Sequence, residues 1–252
     1  LPRHPCAADR ELAGGDEDDQ DCHTDTVSVP RFSLGNQVFY DTNNNGLRGT
    51  DAGIDGVTVR LLDNSNNVLS TVTTAGGGFY RFDNLAAGDY KVEAVIPAGY
   101  QSSTDIASSA NPNNNTDNDD NGVTVVGNAV RSNAITLGPT ANEPTGESPT
   151  SASGQGAADN KANMTLDFGF YQLVLGDQVW GDINSDGLLN NGEVGVNGVP
   201  VALVNSGGAV VSTTVTSGNG FYAFTGFVGG TYVVSITAPS GYKSTAPDAG
   251  DP

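Results

Sequence analysis

The sequence has very little of the side-chain chemistry on which most hydrolytic enzymes depend. Its 252 residues include only two histidines, His4 and His23, and both lie near the start of the chain. A Ser-His or Cys-His catalytic arrangement needs an imidazole beside the nucleophile, so none can form in the rest of the chain. Pairs of carboxylates, which a glycosidase would need, are abundant, but the spacing described below explains them by metal binding. We therefore expect no enzyme.

Positive charge and long apolar runs are scarce as well. Ten Lys and Arg residues stand against 29 Asp and Glu, which gives a formal net charge of −19. Such a chain repels nucleic acid and anionic membrane surfaces, so neither is an expected partner. No stretch approaches the ~20 apolar residues that a membrane span needs, and we expect no membrane insertion. The acidic charge favours a soluble extracellular protein whose carboxylates bind divalent cations.

Cysteine occurs only twice, as Cys6 and Cys22 in the N-terminal segment. We expect a disulfide between them, which would close a short loop and contribute roughly 3 kcal/mol through loop entropy. Two unpaired thiols are an alternative. A zinc site that also uses His4 and His23 is another.

Gly, Asn, Thr and Ser fill much of the remaining composition and favour strands and turns over helices. Val57, Val59 and Leu61 alternate with polar residues, which is the pattern of a strand with one buried face. Residues 90–94 alternate in the same way, and Asn- and Gly-rich turns separate such segments. The sequence predicts an all-β protein of the sandwich type.

The chain repeats itself with a period of about 141 residues. Leu-Gly-Asn-Gln-Val-Phe begins at Leu34, and Leu-Gly-Asp-Gln-Val-Trp begins at Leu175. Gly-Phe-Tyr-x-Phe recurs from Gly78 and Gly220, and Pro-x-Gly-Tyr recurs from Pro97 and Pro239, always in the same order. This order indicates one domain copied twice. We predict an N-terminal tail or preceding strand at 1–32, a first domain at 33–172 and a second at 173–252 that lacks its last strand.

Each copy carries an acidic loop directly after its first strand motif. Residues 182–193 read Asp-Ile-Asn-Ser-Asp-Gly-Leu-Leu-Asn-Asn-Gly-Glu, which has the ligand spacing of an EF-hand calcium loop. Since a strand precedes it, we predict calcium built into a β-domain rather than a helix–loop–helix hand. The predicted ligands are Asp182, Asn184, Asp186, Leu188 (through its carbonyl), Asn190 and Glu193. An Asx-turn loop with accidental spacing is the alternative.

The first copy has a shorter version of the same loop. Its predicted ligands are Asp41, Asn43, Asn45, Leu47 (through its carbonyl) and Asp51. The loop is one residue shorter, and Asp51 replaces the long Glu that would bind calcium through both oxygens. We therefore expect weaker calcium binding here than in the second copy.

Taken together, the repeated motifs resemble the calcium-binding B domains of serine-aspartate-repeat adhesins. The motifs concerned are Leu-Gly-Asp-Gln-Val-Trp with its acidic loop, Gly-Val-x-Gly-Val-Pro-Val, Gly-Phe-Tyr-x-Phe, Pro-x-Gly-Tyr and, at residues 165–171, Thr-Leu-Asp-Phe-Gly-Phe-Tyr. The resemblance implies a Cna-B-type, immunoglobulin-like or prealbumin-like β-sandwich. It also implies a bacterial surface or secreted protein in which Ca²⁺ stiffens each module.

Residues 105–162 form a long, Asn- and Asp-rich insert in the first copy. We expect a pair of extended loops around strand-like segments at 122–126 and 134–137. Asp117, Asp119 and Asn121 spell Asp-x-Asp-x-Asn-Gly, and the resemblance implies further calcium in a loop of this kind. A solvated polar loop is the alternative.

The sequence thus predicts a calcium-stiffened spacer in an adhesin, stalk or filament, whose partners are neighbouring modules of the same protein. Only residues 172–175 connect the copies, so we expect the modules to be held end to end. One alternative is that the insert binds a host or matrix ligand. Another is strand exchange with other subunits through residues 23–32, where residues 26–30 resemble a donor strand.

Overall fold

The computed structural model describes residues 29–114, 116–139, 144–145, 147, 154, 156–190 and 192–245. These residues form β-strands in two consecutive groups, which we call module 1 and module 2, with one 3-10 turn at Asp159–Lys161. No helix among them is long and apolar enough to cross a membrane. The prediction of an all-β fold is confirmed.

Module 1 contains the first eleven strands. They are β1 (Phe32–Tyr40), β2 (Thr58–Asp63), β3 (Val68–Thr73), β4 (Phe79–Leu85), β5 (Gly88–Val95), β6 (Gln101–Ser102), β7 (Thr124–Val126), β8 (Ala129–Arg131), β9 (Ile135–Leu137), β10 (Ala162–Asn163) and β11 (Phe168–Tyr171). One sheet has the order β10-β1-β11-β6, with β4 also pairing with β1. The other has the order β3-β2-β5-β8-β7, with β9 also pairing with β5. Because β1 pairs in parallel with β10 and β11, the last strands of the module return to its first strand.

The core of module 1 lies between these two sheets. Apolar side chains alternate along the strands and meet from both faces, with Leu34 and Val38 on β1 opposite Val59 and Leu61 on β2. Phe168, which is fully buried, closes the core from β11. Burial of each large apolar side chain contributes about 1.5–3 kcal/mol, and this apolar packing between the sheets holds them together.

Module 2 contains the remaining strands of the described chain. They are β12 (Val174–Gln178), β13 (Pro200–Asn205), β14 (Val210–Val215), β15 (Phe221–Thr225) and β16 (Tyr232–Ile236). β12 pairs with β15, and β14-β13-β16 form a second sheet over a small core of Val201, Leu203 and Phe224. Leu175 is 37% exposed, whereas its repeat equivalent Leu34 is 0% exposed. The reason is that β12 has only β15 beside it among the described residues, whereas β1 pairs with three strands.

Much of the insert is part of the sandwich rather than a loop outside it. The predicted strand-like segments correspond to β7 and β9, and β8 between them was not predicted. β8 pairs with β5 from Glu93↔Arg131 to Val95↔Ala129, so the insert extends the second sheet. Glu93 is buried on this sheet and accepts hydrogen bonds from the guanidinium groups of Arg60 and Arg131. The insert is therefore held by main-chain pairing and by a shared carboxylate.

Candidate calcium sites

The acidic loop of module 2 is organised around Asp182. One carboxylate oxygen of Asp182, Oδ1, accepts the backbone N–H groups of Ser185 (2.6 Å) and Asp186 (3.2 Å), and Oδ2 accepts that of Gly187 (2.9 Å). Gly187 has a φ of 78°, which turns the chain sharply at the sixth loop position. Asp182, at the first loop position, therefore stabilises the turn that positions the other predicted ligands.

The other predicted ligands of this loop converge as well. Asp186 Oδ2 accepts the side-chain amides of Asn184 (2.8 Å) and Asn190 (2.9 Å). The amide of Asn190 is the main cause of a lowered pKa at Asp186. Glu193 folds back over the loop, where Oε1 accepts the N–H of Ile183 (2.9 Å) and Oε2 that of Asn190 (3.0 Å). Leu188 is predicted to bind calcium through its carbonyl oxygen. Its N–H donates to Asp186 Oδ1 (2.8 Å).

The loop of module 1 is organised around an Asp in the same way, but this Asp is buried. Asp41 is 0% exposed and accepts the N–H of Asn45 at Oδ1 (3.1 Å) and that of Gly46 at Oδ2 (2.8 Å). These are the donors that correspond to Asp186 and Gly187 in module 2. Both loops thus have the same Asp-centred turn, and in module 1 it lies in the protein interior.

The remaining predicted ligands of the first loop are nearer the solvent. Asn43 and Asn45 are exposed, and Asn45 Oδ1 accepts the N–H of Leu47 (2.9 Å). Asp51 at the end of the loop accepts the hydroxyl of Thr42 (2.7 Å). The shorter Asp51 is therefore engaged within the loop, in contrast to Glu193, which spans its own loop through both oxygens.

The Asp-rich segment of the insert lies directly against this first loop. Leu47 forms an antiparallel bridge with Asp119, and the N–H of Asp120 donates to the carbonyl of Gly46 (3.0 Å). The N–H of Arg48 donates to the carbonyl of Asn118 (2.9 Å). The two acidic sites that the sequence suggested for module 1 are therefore neighbours.

The three predicted ligands of that segment have different surroundings. Asp117 accepts the amide of Asn36 (2.8 Å) and lies 3.8 Å from the guanidinium of Arg48. Asn121 accepts the N–H of Asp167 (3.1 Å). Asp119 is 0% exposed, and neither of its carboxylate oxygens has a hydrogen bond. Of the three, only Asp119 has both side-chain oxygens buried without a hydrogen bond.

The pKa of Asp119 is raised, chiefly by burial. Ser108 and Asn121 lie near enough to lower this pKa in part, but their geometry leaves both Asp119 oxygens without a hydrogen bond. A buried carboxylate without a partner is costly in its charged form, because it has lost its hydration without gaining a donor. Asp119 therefore needs either a proton or a cation.

Sequence reasoning missed Asp120, which lies beside Asp119 and is also fully buried. Asp120 Oδ1 accepts the N–H groups of Gly122 (2.9 Å) and Gly169 (3.1 Å), whereas Oδ2 has no hydrogen bond. Burial raises its pKa well above the usual value, and the charges of Asp105 and Asp119 raise it further. We call Asp105, Asp119 and Asp120 the acidic cluster of module 1, because the charges of the first two act on the third; the three carboxylates do not converge on one point.

A second missed residue is Asp167, which lies between the core residues Leu166 and Phe168. Its Oδ1 accepts the N–H of Gln37 (3.0 Å) and its Oδ2 that of Asn118 (3.1 Å), so it ties β1 to the insert. Burial raises the pKa of Asp167 well above its usual value, against the opposing charge of Arg48. A lone Asp inside an alternating apolar strand was the available sequence signal.

The donor set fits calcium in kind. Calcium binds six to eight oxygens from carboxylates, amide carbonyls and backbone carbonyls, all of which occur in the two loops and the acidic cluster. Two oxygens of Asp119 and one of Asp120 are buried without a hydrogen bond. In the described part of the chain, no group of three or more acidic, histidine or cysteine side chains is already arranged to hold a metal ion. The oxygens of the two loops are bonded to N–H groups and would have to exchange some of these bonds for an ion.

The predicted disulfide and its zinc alternative concern residues outside those described, namely Cys6, Cys22, His4 and His23. The same holds for most of the suggested donor strand at 23–32, of which only residues 29–32 are described.

Comparison with known proteins places the chain in a family. A family model described as the SdrD B-like domain matches residues 32–145 and 173–252. Serine-aspartate repeat-containing protein D of Staphylococcus aureus (strain Newman) is 39% identical over 228 residues, which cover 89% of this chain and 15% of that protein. Serine-aspartate repeat-containing protein F of Staphylococcus epidermidis is 38% identical over 225 residues, which cover 88% and 12%.

Solved structures with a similar arrangement include the shaft pilin SpaA from Lactobacillus rhamnosus GG. It is 13% identical with a TM-score of 0.40, and the match covers 86% of this chain and 91% of that one. The chain spans 15% or less of the length of the two serine-aspartate repeat proteins. Their identity over most of this chain and the matched family model confirm the resemblance drawn from the motifs: the chain belongs to the SdrD B-like domain family.

Proposed function

We propose that the chain is a pair of calcium-binding spacer modules from an extracellular protein of a bacterial surface. Membership of the SdrD B-like family and identity to serine-aspartate repeat-containing proteins support a structural module of that kind. The expected partners are neighbouring modules of the same protein. No catalytic role is part of the proposal.

The calcium proposal rests on the buried carboxylate of Asp119. Its carboxylate is fully buried, has no hydrogen bond and lies beside the equally buried Asp120. Burial makes the charged form of each carboxylate costly, and the charge of Asp119 adds to the cost of ionising Asp120. Arg48 forms an ion pair with Asp117 (3.8 Å) and donates hydrogen bonds to Asn118 and Gln37, and it makes no hydrogen bond with Asp119 or Asp120. A divalent cation would remove both the repulsion and the cost of burial.

The mechanism is a clamp that joins parts of the chain far apart in sequence. In module 1, calcium would be held by Asp41, Asn43, Asn45, Leu47 and Asp51 in the loop and by Asp105, Asp119 and Asp120 in the acidic cluster. Because the loop follows β1 and the cluster belongs to the insert, the ion would fasten the insert to the first sheet. In module 2, the ligands would be Asp182, Asn184, Asp186, Leu188, Asn190 and Glu193. Affinity on the order of 10⁻⁴–10⁻³ M is that of extracellular calcium modules.

The test is thermal unfolding and proteolysis of the whole chain in calcium and in EDTA. We expect calcium to raise the melting temperature and to slow cleavage in the insert. Magnesium at the same concentration is the control, because it demands octahedral geometry and retains its waters. Identical melting and cleavage in calcium and in EDTA would contradict the proposal.

A second candidate function is assembly by strand addition at the edge of β12 that no described strand pairs with. In module 1 the corresponding edge of β1 pairs with β11 from Val38↔Phe168 onwards. In module 2, Val174 and Leu175 are 64% and 37% exposed on β12. In the sequence of residues 26–30, polar and apolar side chains alternate, as in a strand that could add to this edge. Concentration-dependent polymers that disappear when residues 1–32 are deleted would support assembly, and a monomer at all concentrations would count against it.

A further inference from the structure

We infer that the Pro-x-Gly-Tyr turn of module 1, residues 97–100, is a docking element that seats module 2 and fixes its orientation. Its partner is the turn at residues 226–229 of module 2. The inference rests on the proposed spacer function, because a spacer transmits length only if its joints are stiff. It adds the location of the joint, which is separate from the calcium ligands.

The strand register brings these two turns together. At the end of module 1, Tyr171 pairs with Gln101, the residue directly after the 97–100 turn. At the start of module 2, Val174 pairs with Thr225, the residue directly before the 226–229 turn. Only Gln172 and Leu173 lie between these pairs. Tyr171 and Val174 are three residue steps apart, about 11 Å at most, so both turns lie at the junction of the two modules.

The contact between the turns is backbone against backbone. A methyl group at Gly99 would lie 2.7 Å from the carbonyl oxygen and 2.8 Å from the Cα of Gly226. Real Cβ atoms do not approach that closely, so only glycine at position 99 permits the contact. Next to it, a methyl group at Gly229 would lie 3.8 Å from Oε1 of Gln101, an ordinary contact distance. The joint is therefore tight at one point and loosely packed beside it.

The 97–100 turn is fixed to the body of module 1. The N–H of Tyr100 donates to the carbonyl of Pro97 (3.0 Å), which closes the turn. The ring of Tyr100 packs edge-on against that of Tyr40, with centroids 5.5 Å apart and planes at 81°. Tyr40 ends β1 and precedes Asp41, the first residue of the calcium-type loop. The docking element and that loop are thus anchored at the same end of β1.

Module 2 contains the same turn in an open setting, and this provides a matched control. Tyr242 donates its N–H to Pro239 (3.0 Å) as Tyr100 does to Pro97. Gly241 has a φ of 89° and Gly99 one of 81°, so a substitution imposes similar backbone strain at both. A methyl group at Gly241 meets nothing within 4 Å. Only the Gly99 substitution adds a contact with the other module.

The experiment measures the distance between two spin labels, one in each module, by pulsed electron resonance in saturating calcium. Labels at Ser65→Cys and Ser206→Cys lie in equivalent exposed turns of the two modules. The two native cysteines, Cys6 and Cys22, are replaced by serine. Thermal melting of each variant establishes that both modules remain folded.

Gly99→Asn is the test variant and Gly241→Asn its control, since Asn tolerates positive φ better than other side chains. We expect a narrow distance distribution in the parent chain and in Gly241→Asn. Gly99→Asn should shift the distribution or broaden it at least about twofold, as release of a short flexible linker would. If Gly99→Asn has a lower melting temperature than the parent chain, Gly99→Ala, which has a smaller side chain, replaces it as the test variant.

The outcomes separate the joint from the calcium proposal. A distribution unchanged in Gly99→Asn and Gly99→Ala overturns the joint, whatever calcium does. A broad distribution in the parent chain in calcium also overturns it. A distribution that broadens with Gly99→Asn supports the joint, even if EDTA leaves the melting temperature unchanged and so removes the calcium proposal.

Discussion

Leu47 of the first calcium-type loop pairs through its backbone with Asp119 of the insert, 72 residues further along the chain. Beside this bridge, Asp120 donates to Gly46 and Arg48 donates to Asn118, so three consecutive residues of the loop contact the acidic segment. Two motifs that are separate in the sequence thus form one continuous, largely buried region of module 1. This pairing also explains why the insert folds as part of the sandwich. A cation held there would act on both segments at once.

Replacing Asp119 by Asn should have opposite effects with and without calcium. In EDTA the amide removes a buried carboxylate that has no hydrogen bond, and we expect stabilisation of module 1 by about 1–3 kcal/mol. In calcium the variant has lost a ligand and should be less stable than the parent chain. Differential scanning calorimetry of both proteins in both buffers measures the difference.

Asp117→Asn is the matched control for that experiment. Asp117 already has the Asn36 amide and the Arg48 guanidinium as partners, so its replacement should destabilise module 1 slightly in both buffers. If Asp119→Asn behaved like Asp117→Asn, the buried carboxylate would not be a calcium ligand.

The repeat made much of the fold predictable. The alternation at Val57, Val59 and Leu61 corresponds to β2, and the segment from Leu34 lies within β1, as a local pattern of period two predicts. β8 was missed although β7 and β9 are equally short and were predicted. The difference is composition: β7 and β9 read Thr-Val-Val and Ile-Thr-Leu, whereas the Ala-Val-Arg of β8 has a single strong strand former and is placed by its pairing with β5.

The candidate site was predictable only where its ligands are local. Asp182 and Glu193 belong to one loop, so their spacing alone revealed them. Asp120 and Asp167 were missed because their surroundings come from elsewhere in the chain. Asp167, for example, accepts an N–H from Gln37, 130 residues away. Burial of a carboxylate is a property of the folded sheets and has no local signature.

Terbium luminescence should report the module 2 loop separately from module 1. Trp180 is the single tryptophan of the chain and precedes Asp182 by two residues. Energy transfer from tryptophan to a bound lanthanide therefore detects only this loop. We expect Glu193→Gln to weaken terbium binding at least tenfold, because the Glu at loop position 12 normally supplies two oxygens.

Asp177→Asn is the control for Glu193→Gln, since Asp177 is an exposed acid on β12 outside the loop. It removes one negative charge, as Glu193→Gln does, and should leave terbium affinity within about a factor of two, as expected for a remote exposed charge. Equal losses in the two variants would indicate general attraction to an acidic surface instead of a defined site.

Removal of the Tyr80 hydroxyl should destabilise module 1. The hydroxyl is buried and donates to the carbonyl of Leu166 (2.7 Å), so it joins β4 to the segment before β11. We expect Tyr80→Phe to cost about 1–2 kcal/mol, because the Leu166 carbonyl is left buried without a donor.

Tyr222→Phe is the matched control for Tyr80→Phe. Tyr222 is the repeat equivalent, and within the described residues its hydroxyl has no hydrogen bond. Its replacement should leave the free energy of unfolding, measured by urea titration, within about 0.5 kcal/mol of the parent, because no hydrogen bond is lost. Equal costs in both variants would show that the Tyr80 bond to Leu166 does not stabilise the module.

The stability of calcium-free module 1 should fall as pH rises above 3.8, the usual carboxyl pKa at which the unfolded chain ionises. Burial raises the folded-state pKa of Asp120 and Asp167 well above the usual value of 3.8. The native state therefore keeps protons that the unfolded chain has already released, and raising the pH favours the unfolded chain until the folded pKa is passed. Asp83 and Glu93 have lowered pKa values, so their stabilisation is lost only as pH falls below their usual values of 3.8 and 4.5.

Calcium should abolish most of that dependence, because a bound cation favours the ionised carboxylates and replaces the protons. Urea unfolding at a series of pH values, in EDTA and in calcium, measures both slopes. Asp120→Asn removes one of the carboxyl groups whose pKa burial raises, which include Asp119 and Asp167, and should flatten the slope in EDTA. A calcium-free protein whose stability rises with pH across this range would show that Asp120 and Asp167 are already ionised in the folded module, and the requirement for a counter-ion beside Asp119 would then lose its basis.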